Sequence, residues 1–173
     1  MTKTNITLIG MSGVGKSAVG NILAKSMGWR FIDTDQLMEA EQGKPLQDIL
    51  DEIGEERFKK MESSKVRELF RARHAVFAPG GSIVYSRDAM ELLKNISTIV
   101  YLSSDPQKIE GRIDIASRGI VGLKEKSFKE LYAERESLYK KFADLVVDTS
   151  EKTPHETAEE ILSYGTNPLS LVK

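Results

Sequence analysis

The sequence predicts an α/β fold in three layers, with a five-stranded parallel sheet covered by helices on both faces. Five short, mostly apolar runs alternate with segments whose apolar residues recur at helical spacing. Parallel strands are buried by the helices that connect them, so this alternation is typical of such a sheet. The chain has 173 residues, 40% of them hydrophobic and 29% charged, which suits one domain with its own core. We therefore expect a single domain over residues 1–173.

The predicted strands end where a glycine, a polar residue or a loop interrupts the apolar run. They are Ile6–Ile9, Trp29–Ile32, Ala75–Ala78, Ile99–Leu102 and Leu145–Val147. The predicted helices lie between and after them. They are Ser17–Met27, Asp35–Gln42, Leu46–Ile53, Glu55–Arg73, Arg87–Lys94, Asp105–Gly111, Ser127–Phe142 and Pro154–Tyr164.

Several residues mark where these helices begin and end. Gly28 and Gly43 follow the first two helices as C-caps, and Thr34–Asp35 caps the start of the second. In the long fourth helix, four apolar side chains are expected to face the core: Phe58, Met61, Leu69 and Phe70. Residues 112–124 contain two glycines and little periodicity, which predicts a mobile loop.

The composition excludes several classes of function. Cysteine is absent and there are two histidines far apart in the sequence, so a thiol nucleophile or a Cys- or His-based metal site is not expected. The net charge of −1 argues against binding nucleic acid through bulk electrostatics. No apolar run is long enough for a signal peptide core or a membrane span. These features are typical of a cytoplasmic protein without nucleic-acid or membrane partners, and the size is compatible with a monomer.

The segment Gly10–Ser17 reads Gly-Met-Ser-Gly-Val-Gly-Lys-Ser and fits the P-loop pattern. Glycines let the backbone curl so that N–H groups face phosphate oxygens, and the positive end of the following helix adds to them. Lys16 is suited to the β- and γ-phosphates of ATP, and the Ser17 hydroxyl to Mg²⁺. The candidate ATP-binding residues here are Gly13, Val14, Gly15, Lys16, Ser17 and Ala18. The alternative, a glycine-rich turn with a solvated lysine, is disfavoured because the motif follows a strand and opens a helix. The predicted fold is therefore of the P-loop NTPase type.

Polar signals also follow the second and third strands, and ligands bind at the carboxyl ends of parallel strands. Asp33 and Asp35 are two residues apart, so in extended chain both would point the same way. Asp33 is a candidate to hold Mg²⁺ through water, and Asp35 to orient an acceptor hydroxyl and take its proton. Asp35 could instead be only a helix cap. Gly80–Gly81 follow the third strand, where they form either a simple turn or a close approach of the backbone to a ligand.

Over residues Ile6 to Ile161 the sequence resembles the shikimate kinase family, within the nucleoside-monophosphate-kinase-like group of P-loop proteins. The resemblance rests on segments in the same order along the chain. They are Gly10–Ser17, Phe31–Asp35, Gly54–Glu62, Pro79–Ser82, Arg135–Tyr139, Ala143–Asp144 and Val147–Thr149. The first is shared by many NTPases, whereas the second and the last three are far more specific.

The resemblance implies a role for each matching residue. Asp35 would contact the acceptor's hydroxyls, Arg135 would bind its carboxylate, and Gly80–Gly81 would approach its ring. Arg118, in a lid at about residues 112–124, would act as a catalytic residue on the transferring phosphate. Glu62 would support the acceptor-binding region, at about residues 34–62. Arg112 and the segment Thr149–Pro154 would lie beside adenine, and Pro154 is the ATP-binding candidate in that segment. Arg118 and Arg135 have the alternative of being ordinary solvated cations.

Three positions depart from the pattern of that family. Lys59 stands where the family usually has arginine, and lysine offers a point charge instead of a bidentate fork. Ser82 replaces the last residue of a glycine triplet, so it would narrow the pocket or add a hydroxyl contact. Gly119 follows Arg118 in place of proline, which predicts a more flexible lid. Lys59 stays among the acceptor-binding candidates with Asp35, Gly80, Gly81 and Arg135.

The resemblance implies an ATP-dependent kinase that needs Mg²⁺ and converts shikimate to shikimate 3-phosphate in aromatic amino-acid biosynthesis. Lys59 and Ser82 favour an alternative, a related small-molecule kinase with another acceptor, such as a gluconate-type hydroxy acid. A second alternative is a non-catalytic nucleotide-binding regulator. A regulator needs no acceptor base, so Lys16, Asp35 and Arg118 together argue against it. A nucleoside monophosphate kinase is less favoured because its base pocket does not call for Arg135.

Overall fold

A computed structural model describes residues 3–111, 113 and 119–164. It confirms the predicted parallel sheet of five strands. The strands are β1 (Asn5–Ile9), β2 (Arg30–Asp33), β3 (Ala75–Ala78), β4 (Ser97–Ser103) and β5 (Leu145–Asp148), in the order β2-β3-β1-β4-β5. β1 is therefore the central strand, and the carboxyl ends of β1, β2 and β3 lie along one edge of the sheet.

Helices cover both faces of this sheet, which is why β1 and β3 are buried along their whole length. The helices of the described residues are α1 (Lys16–Met27), α2 (Thr34–Gln42), α3 (Leu46–Ile53), α4 (Glu55–Glu68), α5 (Arg87–Ile96), α6 (Pro106–Glu110), α7 (Phe128–Phe142) and α8 (Pro154–Ser163). Short 3₁₀ turns follow α4 at Leu69–Arg71 and β3 at Gly81–Tyr85. No helix in residues 3–111, 113 and 119–164 is long and apolar enough to span a membrane.

The helix ends follow the local sequence. α1 and α2 end at Gly28 and Gly43, whose φ angles of 66° and 67° are left-handed, as a C-cap glycine requires. α7 and α8 begin with capping boxes, in which a serine or threonine and the glutamate three residues later satisfy each other's backbone N–H groups. The predicted cap of α2 was wrong: the carboxylate of Asp33 accepts from the backbone N–H groups of Asp35 and Gln36, so Asp35 lies in the first turn.

The predicted long helix Glu55–Arg73 is shorter than expected. α4 ends at Glu68, and the 3₁₀ turn that follows has three residues per turn instead of 3.6. The change of period rotates Phe70 outward, so its side chain is 46% exposed and the expectation that it faces the core was wrong. Phe58 and Leu69 are buried as predicted, and Met61 is partly buried.

Two groups of buried apolar side chains stabilise the fold. The main core fills the space between the sheet and its helices. A smaller group, here called the satellite core, joins α2, α3 and α4 to the segment after residue 118. Its buried members are Met38, Leu46, Ile49, Leu50, Phe58 and Val121. The satellite core therefore fixes residue 121 to the predicted acceptor region.

The predicted lid lies partly outside the described residues, which leave out Arg112 and residues 114–118. Its later part, from Gly119 to Lys124, is described. Gly119 packs so closely on α3 that a Cβ atom there would lie 2.9 Å from backbone and side-chain atoms of Leu46. Ile120 and Val121 are buried, and the backbone N–H of Gly122 donates to Glu55 Oε1 at 2.7 Å. This part of the chain is docked on the acceptor region.

Candidate active site

The glycine-rich loop connects the central strand β1 to helix α1. Gly13 and Gly15 have φ angles of 84° and 106°, which side-chain-bearing residues rarely adopt. No side chain caps α1, and its first turn carries no acidic residue. The first turn of α1 therefore has no side-chain cap and no acidic residue of its own, which leaves its backbone N–H groups suited to binding phosphate.

Lys16 lies within this loop. It is 9% exposed, and its Nζ donates to the carbonyl oxygens of Gly10 at 2.9 Å and Met11 at 3.1 Å. A buried ammonium at the mouth of a loop that binds anions is suited to offset phosphate charge. The role of Lys16 toward the phosphates of ATP stays a prediction.

Two oxygen ligands for a cation meet beside the loop. Ser17 Oγ donates to Asp33 Oδ2 at 2.6 Å, which joins the first turn of α1 to the end of β2. Hydroxyl and carboxylate oxygens are the ligands that Mg²⁺ prefers, and Mg²⁺ usually takes few protein ligands in addition to water and substrate phosphates. Among the described residues no cluster of three His, Cys, Asp or Glu side chains would hold a metal. Ser17 and Asp33, the two residues predicted from the sequence for Mg²⁺, lie together here.

The remaining nucleotide candidates lie at the outer side of the loop. Ala18 is exposed on α1, Val14 is buried, and Pro154 is exposed at the first position of α8. An open depression of about 550 Å³ lies between the end of α6 and the segment before α8, and Lys108 and Thr153 are among its lining residues. The two arginines predicted to contact the nucleotide, Arg112 and Arg118, lie outside the described residues.

The predicted acceptor residues come together at the carboxyl edge of the sheet. They surround a narrow, partly open cavity in which the volume open to the centre of a water molecule is about 10 Å³. Its lining residues are Ser12, Asp35, Leu46, Phe58, Glu62, Gly80, Gly81, Ser82, Gly119, Ile120, Val121 and Arg135. Both glycines are needed for this close approach: a Cβ atom on Gly80 would overlap Glu62 Oε1, and one on Gly81 would lie 3.1 Å from Arg135 Nη1.

Glu62 carries the most perturbed carboxyl of the cavity. It is 2% exposed, and Ser82 Oγ donates a hydrogen bond to its Oε2. Burial, and after it the nearby Asp35 carboxylate, raise the pKa of Glu62 to about 8. The Ser82 hydrogen bond and the charges of Arg135 and Lys16 act in the opposite direction. Glu62 is therefore protonated in a large part of the molecules near neutral pH.

Arg135 is a buried cation at the wall of the cavity. It is 1% exposed; its Nη2 donates to the carbonyl of Val121 at 2.7 Å and its Nε to Tyr85 Oη at 3.4 Å. Among the described residues, no carboxylate lies within ion-pair distance of it. A buried charge is costly without an anionic partner, so this guanidinium is a candidate to bind an anion.

Lys59 is the predicted acceptor residue that the structure does not bring into the cavity. It follows Phe58, and one residue along a helix is about 100° around it. Phe58 and Glu62 line the cavity from one face of α4, whereas Lys59 pairs with Glu56 at 2.5 Å on the next face. It lines two adjoining open grooves of about 510 and 750 Å³.

Sequence reasoning missed Tyr85 and Val121. Tyr85 stands four residues after Gly81, in the turn that leaves β3, and an aromatic residue in that place was the available signal. Val121 acts through its backbone carbonyl, for which no side-chain signal exists. Ser82 was expected either to narrow the pocket or to add a hydroxyl contact. Its hydroxyl does make a contact, and the partner is Glu62.

Several known proteins are similar to this chain over most of its length. The sequence profile of the family described as "Shikimate kinase" matches residues 12–165. A shikimate kinase of Caldanaerobacter subterraneus subsp. tengcongensis is 36% identical over 161 residues, which cover 91% of this chain and 94% of that protein. The structure of the Acinetobacter baumannii shikimate kinase in complex with shikimate superimposes with a TM-score of 0.84 at 27% identity, covering 94% and 92% of the two chains.

A gluconokinase of Sinorhizobium meliloti has a likeness in fold alone. It superimposes with a TM-score of 0.57 at 17% identity, over 94% of this chain and 92% of the other.

The profile match covers most of the chain, and the Caldanaerobacter relative is similar over nearly its full length. All but the first two residues of the P-loop, the paired aspartates and the buried arginine beside two glycines lie within residues 12–165. The chain belongs to the shikimate kinase family.

Proposed function

We propose that this chain transfers the γ-phosphate of ATP to a hydroxyl of shikimate, giving shikimate 3-phosphate. The observation that carries this proposal is the buried Arg135, which has no carboxylate partner in the described residues and lies beside Asp35 and the P-loop. An acceptor with one carboxylate and several hydroxyls complements this arrangement. The complex of the Acinetobacter relative with shikimate supports the same acceptor.

Arg135 binds the acceptor's carboxylate. A planar guanidinium matches a carboxylate with two parallel hydrogen bonds, which fixes both the position and the orientation of the ligand. Burial of the pair excludes water and strengthens the interaction. Gly80 and Gly81 allow the acceptor ring to approach the backbone closely.

Asp35 orients the reacting hydroxyl and takes its proton. It lines the cavity beside Glu62, and its charge is one cause of the raised pKa of Glu62. The proton passes from the hydroxyl to the Asp35 carboxylate as the hydroxyl oxygen attacks the γ-phosphorus in line. The bond to the β-phosphate oxygen breaks, and ADP leaves.

The P-loop binds the triphosphate and offsets its charge. Backbone N–H groups from Gly13 to Ala18 and the positive end of α1 face the phosphates, and Lys16 stabilises the negative charge that spreads over the transferring group. Ser17 and Asp33 would hold Mg²⁺, which would supply further positive charge at the phosphate oxygens. Arg118 is proposed to contact the transferring phosphate, with Arg112 and Pro154 beside adenine.

The acceptor binds only after the docked segment moves. A volume of about 10 Å³ holds roughly one water molecule, so a substituted six-membered ring does not fit while Gly119–Val121 line the cavity. Movement of residues 112–124 as a lid admits the acceptor, and closure then excludes water from the phosphoryl group. The chain is further proposed to act as a monomer in the cytoplasm.

Coupled ADP release tests the function. The purified protein is assayed with ATP and Mg²⁺ in the presence of shikimate, of gluconate or of no acceptor. Turnover that depends on shikimate and is absent with gluconate is expected. Turnover with gluconate alone would assign the site to another hydroxy acid, and ATP binding without turnover on either acceptor would favour the regulator.

A further inference from the structure

Tyr85 contacts two cations near the acceptor cavity, Lys59 and Arg135. It ends the 3₁₀ turn Gly81–Tyr85, directly after the two cavity glycines. The Arg135 guanidinium carbon lies 5.3 Å from the centre of its ring, and Lys59 Nζ lies 5.9 Å from the same point. Both distances are within the range of cation–π attraction. Like charges repel, and the electron-rich ring offsets part of that repulsion.

The Tyr85 hydroxyl is oriented by a neighbour on α7. It donates to Glu134 Oε1 at 2.5 Å, and Glu134 also pairs with Lys126. Hydrogen bonds from Lys126 and then from Tyr85 hold the pKa of Glu134 below its usual range, so Glu134 is a charged acceptor. Because the hydroxyl hydrogen is directed at Glu134, an oxygen lone pair is left for the Arg135 Nε, 3.4 Å away.

These contacts determine the orientation of the Arg135 guanidinium. Its Nε is directed to Tyr85, one Nη2 hydrogen to the carbonyl of Val121, and Nη1 lies beside Gly81 at the cavity floor. A guanidinium has five N–H donors in a rigid plane, so fixing Nε fixes the direction of the other four. The Tyr85 hydroxyl is therefore one of the groups that set which edge of Arg135 faces the cavity.

Tyr85 has little part in core packing. It belongs to neither the main core nor the satellite core, and it lines both open grooves beside Lys59. Its ring is half-buried, so removing the hydroxyl leaves no large void. The contacts of Tyr85 are concentrated on the cations and on Glu134.

We propose that Tyr85 is a positioning residue that orients Arg135 toward the acceptor's carboxylate. This rests on the proposed function only for the identity of the acceptor; the orientation itself is a property of the protein without ligand. Tyr85 acts through Arg135 and touches neither the nucleotide site nor Asp35 in the described contacts.

Steady-state kinetics of Tyr85→Phe and Tyr85→Leu test the consequence for binding. Tyr85→Phe keeps the ring and removes the hydroxyl, and we expect it to raise KM for shikimate by about 3–10-fold, the loss of one hydrogen bond. Tyr85→Leu also removes the ring and is expected to raise KM further. KM for ATP should change less than about twofold in both, because Tyr85 makes no contact with the P-loop.

A matched control is Tyr132→Phe, which removes another tyrosine hydroxyl at α7, one that donates to the carbonyl of Ser104 at 2.7 Å. It should leave KM for shikimate unchanged. An equal rise of KM in Tyr132→Phe, or a fall of kcat in Tyr85→Phe with KM unchanged, would overturn the inference.

A second measurement does not depend on turnover. In ¹⁵N-labelled protein without ligand, the Nε–H signal of Arg135 is assigned by its loss in Arg135→Lys, and its exchange with water is measured. We expect faster exchange in Tyr85→Phe and no change in Tyr132→Phe. If the wild type failed to turn over shikimate while exchange still responded to Tyr85→Phe, the proposed function would fall and the positioning role would stand. Unchanged exchange in Tyr85→Phe would refute the positioning role even in an active kinase.

Discussion

The hydroxyl of Ser82 donates a hydrogen bond to the buried carboxyl of Glu62 at the wall of the acceptor cavity. Removing that hydroxyl would leave Oε2 of Glu62 without this bond in a site that is 2% exposed. The hydrogen bond favours the charged form of Glu62, yet burial outweighs it, and the pKa is raised to about 8 from the usual value of 4.5. The cavity therefore contains a carboxyl group whose charge changes within the range of ordinary assays.

The raised pKa predicts how stability depends on pH. Between about pH 4.5 and pH 8 the folded chain holds a proton on Glu62 that the unfolded chain has lost, so the free energy of unfolding falls as pH rises through this window. Glu62→Gln cannot lose that proton and should flatten the fall. Urea denaturation at intervals from pH 5 to pH 8.5 measures the free energy of unfolding of both proteins. Glu159→Gln, at an exposed position of α8, is the control; identical pH profiles for wild type and Glu62→Gln would refute the assignment.

Gly80→Ala should damage the acceptor site and spare the nucleotide site. Its Cβ atom would overlap Glu62 Oε1 and lie 2.7 Å from Asp35 Oδ1, so both carboxyl groups must shift. We expect a loss of about 1–3 kcal/mol in stability, as for other overpacked sites, and a rise in KM for the acceptor. Gly111→Ala is the matched control, because its Cβ atom would lie no closer than 3.5 Å to another atom. Chemical denaturation measures the stability of both variants and steady-state kinetics measures their KM for the acceptor; equal effects of the two variants would contradict the packing argument.

Lys16→Ala should abolish turnover. Removing a group that stabilises developing charge typically costs about 10²–10³-fold in kcat, and Lys16 also binds the ground-state triphosphate. The coupled ADP assay measures the loss, and circular dichroism checks that the fold persists. Lys25→Ala, at the exposed last turn of the same helix, should keep full activity. An active Lys16→Ala would refute the mechanism.

Asp35→Asn should separate binding of ATP from transfer of its phosphate. Asparagine keeps the shape of the side chain and its place in the first turn of α2, but it accepts no proton. Titration with a fluorescent ATP analogue should give a Kd within about twofold of wild type, since Asp35 lies on the acceptor side. Phosphorylation of shikimate should fall by at least about 10²-fold, the lower range for loss of a general base. A parallel loss of ATP affinity would place Asp35 in the nucleotide site.

The features that the sequence predicted well are those that local chemistry decides. The P-loop is recognisable because a strand, three glycines and a helix start are adjacent in the chain, and the structure shows Gly13 and Gly15 with positive φ. The five strands were predicted because apolar runs buried on both faces leave a clear pattern. The convergence of Asp35, Gly80 and Arg135 on one cavity agrees with the family resemblance, which had placed all three at the acceptor.

The features that the sequence did not reveal depend on contacts between distant segments. Nothing in the order of residues indicates that Tyr85 meets both Lys59 and Arg135, which are 26 and 50 positions away from it. The direction of Lys59 depends on the rotation of α4, which burial of Phe58 sets. The end of α4 was misplaced because a 3₁₀ turn uses the same apolar residues as a helix but changes their period.

Docking of Gly119–Gly122 on the acceptor region has a thermodynamic consequence for any ligand of the cavity. The Val121 carbonyl already receives a hydrogen bond from Arg135, and Gly119 rests on Leu46. The segment therefore competes with the acceptor for the cavity. Because it is part of the same chain, its effective concentration depends on the length of the connecting chain and does not fall on dilution. The acceptor's apparent dissociation constant is its intrinsic value divided by the fraction of molecules in which the segment has left. Substitutions that weaken the satellite core at Met38, Ile49 or Leu50, which do not line the cavity, would therefore tighten acceptor binding.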